Sequence, residues 1–169
     1  MSATTSPELL HFENDGSIPN SPLPLVLHRG ACKETGEQGA VWLEKTFAGN
    51  GWTNSWRNGV YSYHHYHANT HEVLGVYQGS ALLRLGGEAG AEVEVKAGDV
   101  IVIPAGVGHK RLSSTKDFAV VGAYPDGMEP ETLREGALSP EDAMARIRRV
   151  PLPKADPVRG REGWQGIWT

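Results

Sequence analysis

The stretch YHHYHANTHEVLGVYQG, residues 63–79, decides how the rest of the chain is read. Four of the seven histidines, His64, His65, His67 and His71, fall within eight residues, and Glu72 follows directly. The stretch lies in a segment that opens after the turn dipeptide Asn58-Gly59, where the pattern takes on a period of two, as expected of a strand over 60–67. Side chains two apart on a strand share a face. His65 and His67 therefore point to one side together with Tyr61 and Tyr63, while His64 and Tyr66 point to the other. The paired imidazoles stand about 6–7 Å apart at their α-carbons by strand rise, which lets them converge on one ion. After the break Ala68-Asn69-Thr70, Glu72 begins the next apolar run and comes back over the same site, whereas His71 beside it faces away.

A further ligand has to come from a distant part of the chain. His109 stands in GDVIVIPAGVGHKRL, residues 98–112, where a buried strand over 100–103 leads into the turn Pro104–Gly108 that presents it. Three neutral imidazoles and one carboxylate suit a single borderline divalent ion, Fe, Mn, Ni, Zn or Cu, and are too rich in nitrogen for calcium or magnesium.

Outward from these two segments, 21 glycines and 11 prolines cut the chain into short pieces. Expected strands are 72–78, 81–85, 91–96, 100–103 and 118–123, separated by Gly79-Ser80, Gly86-Gly87, Gly90 and Gly98-Asp99. That spacing is the pattern of a small antiparallel barrel or sandwich. A first strand is expected over 23–29, behind an arm of about 22 residues lying on the surface. Residues 37–51 carry Ala40, Trp42, Leu43 and Phe47 at helical spacing and end at Asn50-Gly51, which predicts a short helix with Trp42 and Phe47 as core anchors. A second helix is marked by Ser139 as N-cap, Pro140 in the first turn, Glu141 and Asp142 at the positive dipole end, and arginines 146, 148 and 149 toward the other. Its apolar stripe is Ala143, Met144, Ile147 and Val150. The Pro- and Gly-rich tail holds Trp164 and Trp168, which are expected to pack on the barrel or on a second subunit. Residues 1–57 thus form an arm, a strand and a helix against a barrel of 58–125, with helix and tail in 126–169, all in one domain.

Composition narrows the function classes. The net charge is −4 with no long run of either sign, so nothing indicates nucleic acid or a membrane surface as partner. No stretch reaches the roughly 18 apolar residues of a membrane span. The N-terminal sequence lacks a secretory pattern, and a single cysteine, Cys32, precludes an internal disulfide, so a cytoplasmic setting is expected and Cys32 is read as incidental.

The two segments together resemble the cupin superfamily. Its first motif, G-x5-H-x-H-x3/4-E-x6-G, is matched at every fixed position by Gly59, His65, His67, Glu72 and Gly79. Its second, G-x5-P-x-G-x2-H-x3-N, is matched by Gly98, Pro104, Gly106 and His109, with Ser113 in place of the final Asn. The wording of both segments also looks like the YjlB-like subgroup of small bacterial cupins. The resemblance implies a mainly β jelly-roll barrel, with one divalent transition metal per chain held by His65, His67, Glu72 and His109, and a homodimer.

Such a donor set leaves positions open to water, O₂ or a chelating substrate. The reading is therefore a small-molecule enzyme, either a dioxygenase or a Lewis-acid isomerase or lyase. The alternative is a module that binds a small ligand or the metal without turnover. Glu72 is a candidate base and Tyr63 a candidate substrate contact, with Tyr61, Arg57 and Lys110 as further candidates near the mouth. Trp52, Trp56 and Tyr77 are read as packing residues.

Overall fold

The computed structural model describes residues 6–164 and 167–168. Among them are eleven strands, β1 (Glu8–Phe12), β2 (Ser21–His28), β3 (Trp52–Asn58), β4 (His65–His67), β5 (Glu72–Gln78), β6 (Ser80–Leu85), β7 (Ala91–Lys96), β8 (Val100–Ile103), β9 (His109–Ser114), β10 (Ala119–Pro125) and β11 (Thr132–Arg134). The helices are α1 (Gly36–Gly49) and α2 (Pro140–Ile147), with a short 3₁₀ turn at Arg161–Trp164. All pairings between the strands are antiparallel. One sheet runs β1-β2-β8-β5-β10-β3 and the other β11-β4-β9-β6-β7. The arrangement is the jelly-roll expected, built as two facing sheets whose edges are not joined into a closed barrel.

Alternation explains the core. Ala81, Leu83 and Leu85 of β6 and Val93 and Val95 of β7 turn inward against Leu25, Leu74, Ile101 and Val120 of the larger sheet. That larger sheet is also covered on its outer face, so β8 reads as the unbroken apolar run VIVI and is buried throughout. The outer cover is α1, through Ala40, Leu43 and Phe47, together with Trp164 and Trp168 from the tail. Phe47 is buried as expected, but Trp42 is 36% exposed and is not an anchor, because the inner stripe of α1 runs Gly39, Ala40, Leu43, Phe47.

Three expectations about local structure are corrected. The strand expected from residue 60 begins at His65, and the true strand before it is β3, whose polar residues hid it. His109 does not sit on a turn but opens β9. The N-terminal arm is no loose surface layer: β1 pairs with β2, and Ile18 and Asn20 are fully buried. Asn20 has a φ of 57°, its amide nitrogen donates to the Glu13 and Gly86 carbonyls at 2.7 and 3.0 Å, and its Oδ1 accepts from Gly108 N–H. It thereby fastens the arm to the turn in front of β9.

That turn needs its glycine. Gly106 has a φ of +94°, and a Cβ there would lie 2.5 Å from the Asn20 carbonyl oxygen. Behind the turn, α2 packs Ala143 and Ile147 on Ala105. The helix starts as the sequence predicts: the Ser139 side chain accepts from Asp142 N–H at 3.2 Å.

Candidate metal centre

β4 and β9 lie side by side with His65 directly opposite His109, their ring centroids 3.9 Å apart. His67, two residues along β4, shares the face. One nitrogen from each of His65, His67 and His109 falls within 4.8 Å of the others, and all three residues are buried. From the opposite sheet, β5 begins at Glu72, whose Oε1 is 3.1 Å from His109 Nε2 and whose Oε2 is 3.3 Å from His67 Nε2. The two strands of the first motif and the first residue of β9 therefore bring together the four side chains singled out from spacing.

The backbone fixes the aim of each ring. His65 Nδ1 donates to the Tyr63 carbonyl at 3.1 Å, His109 Nδ1 to the Val107 carbonyl at 3.1 Å, and His67 Nδ1 to the Glu131 carbonyl at 3.3 Å. A carbonyl only accepts, so the proton in all three rings is on Nδ1. In a neutral ring the Nε2 lone pair then points at the shared centre. His109 Nε2 is buried and has no hydrogen-bond partner, although it faces a carboxylate oxygen. Lone pair against carboxylate is repulsive. A proton or a cation between them makes the contact favourable, and four such donors around one point are the donor set of a divalent metal. The residues fit the group that the motifs imply.

Electrostatics follow the same geometry. Burial and the neighbouring His109 push His65 down to about 2, so it is a neutral donor. Burial alone would also lower His67, but the Glu72 carboxylate overrides it and the pKa is raised. Burial would raise Glu72, yet His67 and His109 hold it well below the usual carboxylate range.

A further clamp was not visible in the sequence. Tyr124 on β10 donates its hydroxyl to Glu72 Oε2 at 2.9 Å, and Trp56 Nε1 donates to the Tyr124 oxygen at 2.8 Å. Trp56 reaches it by lying across Gly122, where any side chain would collide with the indole. Trp56 is thus more than packing. Trp52 is packing, fully buried with Nε1 on the Ala155 carbonyl at 2.9 Å.

The remaining histidines of the cluster do not reach the centre. His71 accepts from Ala105 N–H at 2.9 Å through Nδ1 and donates through Nε2 to the Pro151 carbonyl at 3.2 Å, so both nitrogens are spent. His64, outward by parity, is nonetheless buried, with Nε2 2.8 Å from Glu88. Neither hydrogen-bonds a member of the centre.

A cavity of about 820 Å³ opens from the four residues and is walled by Trp56, Tyr61, Leu74, Phe118 and Tyr124. Tyr63 is not in the lining. It is stacked on Tyr61 at 4.9 Å with the Arg134 guanidinium 4.0 Å from its ring centre, so Tyr61 is the exposed phenol at the wall. Arg57 lines the cavity but is held by Glu44 and Glu37, and Lys110 is not in the lining, while Arg111 is.

Two facing antiparallel sheets with this centre between them define a cupin, and the family model described as "Cupin domain" matches residues 56–121. The chain belongs to the cupins, in the YjlB-like subgroup. Over 160 residues, 94% of each chain, it is 46% identical to the "Uncharacterized protein YjlB" of Bacillus subtilis (strain 168). Among solved structures it resembles an uncharacterized conserved protein with a double-stranded beta-helix domain from Klebsiella pneumoniae (15% identity, 79% of this chain, 83% of that one, TM-score 0.39). It also resembles an acireductone dioxygenase from Bacillus anthracis with a cadmium ion in its active centre (17% identity, TM-score 0.38). The match covers 54% of this chain and 62% of that chain, so this chain spans less than two thirds of it. Likeness at this level carries nothing about chemistry. No helix among the described residues is long and apolar enough to cross a membrane.

Proposed function

We propose that the protein binds one divalent transition metal through His65, His67, His109 and Glu72, and uses it on a small oxygen-bearing molecule in the cavity. The observation that carries this is the set of three Nδ1–H to carbonyl bonds, which commits three Nε2 atoms to one point beside a carboxylate. When bound, the ion supplies Lewis acidity toward a chelating oxygen ligand or, if redox-active, a site for O₂. The chain's own part is orientation. Glu72 keeps its negative charge because His67, His109 and Tyr124 all stabilise it, which makes it a better ligand than base where it stands. Tyr124, raised by burial and by the adjacent Glu72 charge, keeps its proton and remains a donor. Trp56 and Leu74 give the part of the cavity near the histidines an apolar wall. The reaction class supported is that of a small-molecule dioxygenase, or of an isomerase or lyase acting on an enolizable or vicinal-oxygen substrate. We further propose a homodimer.

The test begins with metal content of untagged protein. Near one equivalent of Fe, Mn, Ni, Zn or Cu per chain is expected, with a loss of at least about tenfold in affinity in His109→Ala, since one of four donors is removed. Metal content near zero that no added ion restores would sink the reading. Oxygen uptake and isomerisation assays on enolizable acids and diols then separate an enzyme from a binding module, which would bind without turnover.

A further inference from the structure

The centre occupies one end of the cavity, and the other end has a different chemistry. β9 starts at His109 and leads away from it. Arg111, about 7 Å along by strand rise, also lines the cavity. Leu83 then pairs with Arg111 but Leu82 with Ser113, so Leu112 is an extra, bulged residue. A bulge shifts the alternation by one. His109 and Arg111 face the cavity before it, and Ser114 lines it after it. The bulge thus keeps β9 aimed at the cavity from His109 to Ser114, and the turn that follows continues the row with Thr115 and Lys116. Phe118 lies near Lys116, next to the β5–β10 end where Ala119 pairs with Gln78, while Tyr124 marks the end near Glu72.

The charges along this row are unbalanced. Among the described residues Glu72 is the one carboxylate in the lining, and it is engaged at the histidines. Arg57 is already neutralised by Glu44 and Glu37. Arg111 is half-buried and spends only Nε, on the Val60 carbonyl at 3.1 Å. Its two terminal nitrogens have no hydrogen-bond or ion-pair partner among the described residues, and neither has the Lys116 ammonium. Two unengaged guanidinium nitrogens on the cavity wall form a planar fork that matches a carboxylate.

We infer that the cavity takes an organic carboxylate, held by Arg111 with Lys116 at the rim, whose apolar middle lies against Trp56, Tyr61 and Phe118 and whose other end carries the oxygens offered to the metal. Only that last end rests on the proposed metal site; the anion pole stands on Arg111 of β9 and Lys116 in the turn after it.

The test uses matched acid and alcohol probes. Zn(II)-treated protein is titrated calorimetrically with dihydrocaffeate and with dihydrocaffeyl alcohol, and metal-free protein with hydrocinnamate and hydrocinnamyl alcohol. The expected result is an acid preference of about tenfold or more in at least one pair, weakening with added salt, as a charge-assisted bond predicts. Arg111→Gln, which keeps a donor for the Val60 carbonyl, should abolish most of the preference, and Lys116→Gln, an exposed and unpartnered position, part of it. Unchanged zinc stoichiometry in both variants shows that the fold and the metal end are intact. Failure of wild type to take up zinc counts against the metal reading alone, and the hydrocinnamate pair still scores the anion pole. Equal binding of acid and alcohol in both pairs, no binding of either acid, or a preference that survives Arg111→Gln would overturn the inference.

Discussion

The Tyr124 hydroxyl stands between two groups that each need it. It accepts from Trp56 and donates to Glu72, and so holds the carboxylate by the oxygen that faces His67. Removing it in Tyr124→Phe leaves the ring volume and the sheet register intact. Glu72 is then free to rotate, and Trp56 loses its acceptor. Metal affinity is expected to fall about 10–100-fold, the usual cost of losing a group that orients a ligand. Competition against a calibrated chelator measures it, and an affinity within a factor of two of wild type would show that Glu72 needs no such clamp. His71 illustrates the opposite use of an imidazole. Its lone pair is on Nδ1 and its proton on Nε2, the reverse of the three rings at the centre, because its Nδ1 accepts from the Ala105 N–H and its Nε2 donates to the Pro151 carbonyl.

At the level of elements, the second motif is held in place by a residue from the N-terminal arm. Asn20 is in the left-handed region and makes three side-chain hydrogen bonds, two of them buried, that join residues 13, 86 and 108. Asn20→Leu leaves the Gly86 carbonyl and the Gly108 N–H without their buried partner, so a loss of about 3 kcal/mol is expected in urea unfolding. A change under about 1 kcal/mol would mean that the arm is only loosely tied. The sequence read Asn20 merely as part of a turn-rich arm, since its partners are distant in the chain. The same limit explains the missed strands. β5, β7 and β8 were legible because burial imposes a pattern on their own residues. β3 (WTNSWRN) and β9 (HKRLSS) are mostly exposed or half-exposed, and what makes them strands is the neighbour they pair with. His65, His67 and Glu72 were legible because strand parity and spacing are local properties, and His109 because its own segment carries the spacing of Gly98, Pro104 and Gly106. Tyr124 was not, because only the β10–β5 register brings it to Glu72.

Across the whole molecule, the tail closes the outer face of the larger sheet. Trp164 and Trp168 stack at 4.4 Å, Trp168 donates Nε1 to the Pro24 carbonyl at 2.8 Å, and its ring lies 4.7 Å from that of His71. These contacts place both tryptophans on the sheet of their own chain. Trp168→Ala should cost about 3–5 kcal/mol, the range for emptying a large aromatic site, and should erase the near-ultraviolet signal of the stacked indoles. Stability within about 1 kcal/mol of wild type would show the tail to be dispensable. The three carbonyls that orient the histidines belong to segments far apart in the chain: Tyr63 before β4, Val107 before β9 and Glu131 before β11. An ion at the centre is therefore fastened to three connecting loops at once. Fluctuations of any one loop turn a single ring away, whereas capture of an ion would damp all three together and tie the backbone into a knot at that point.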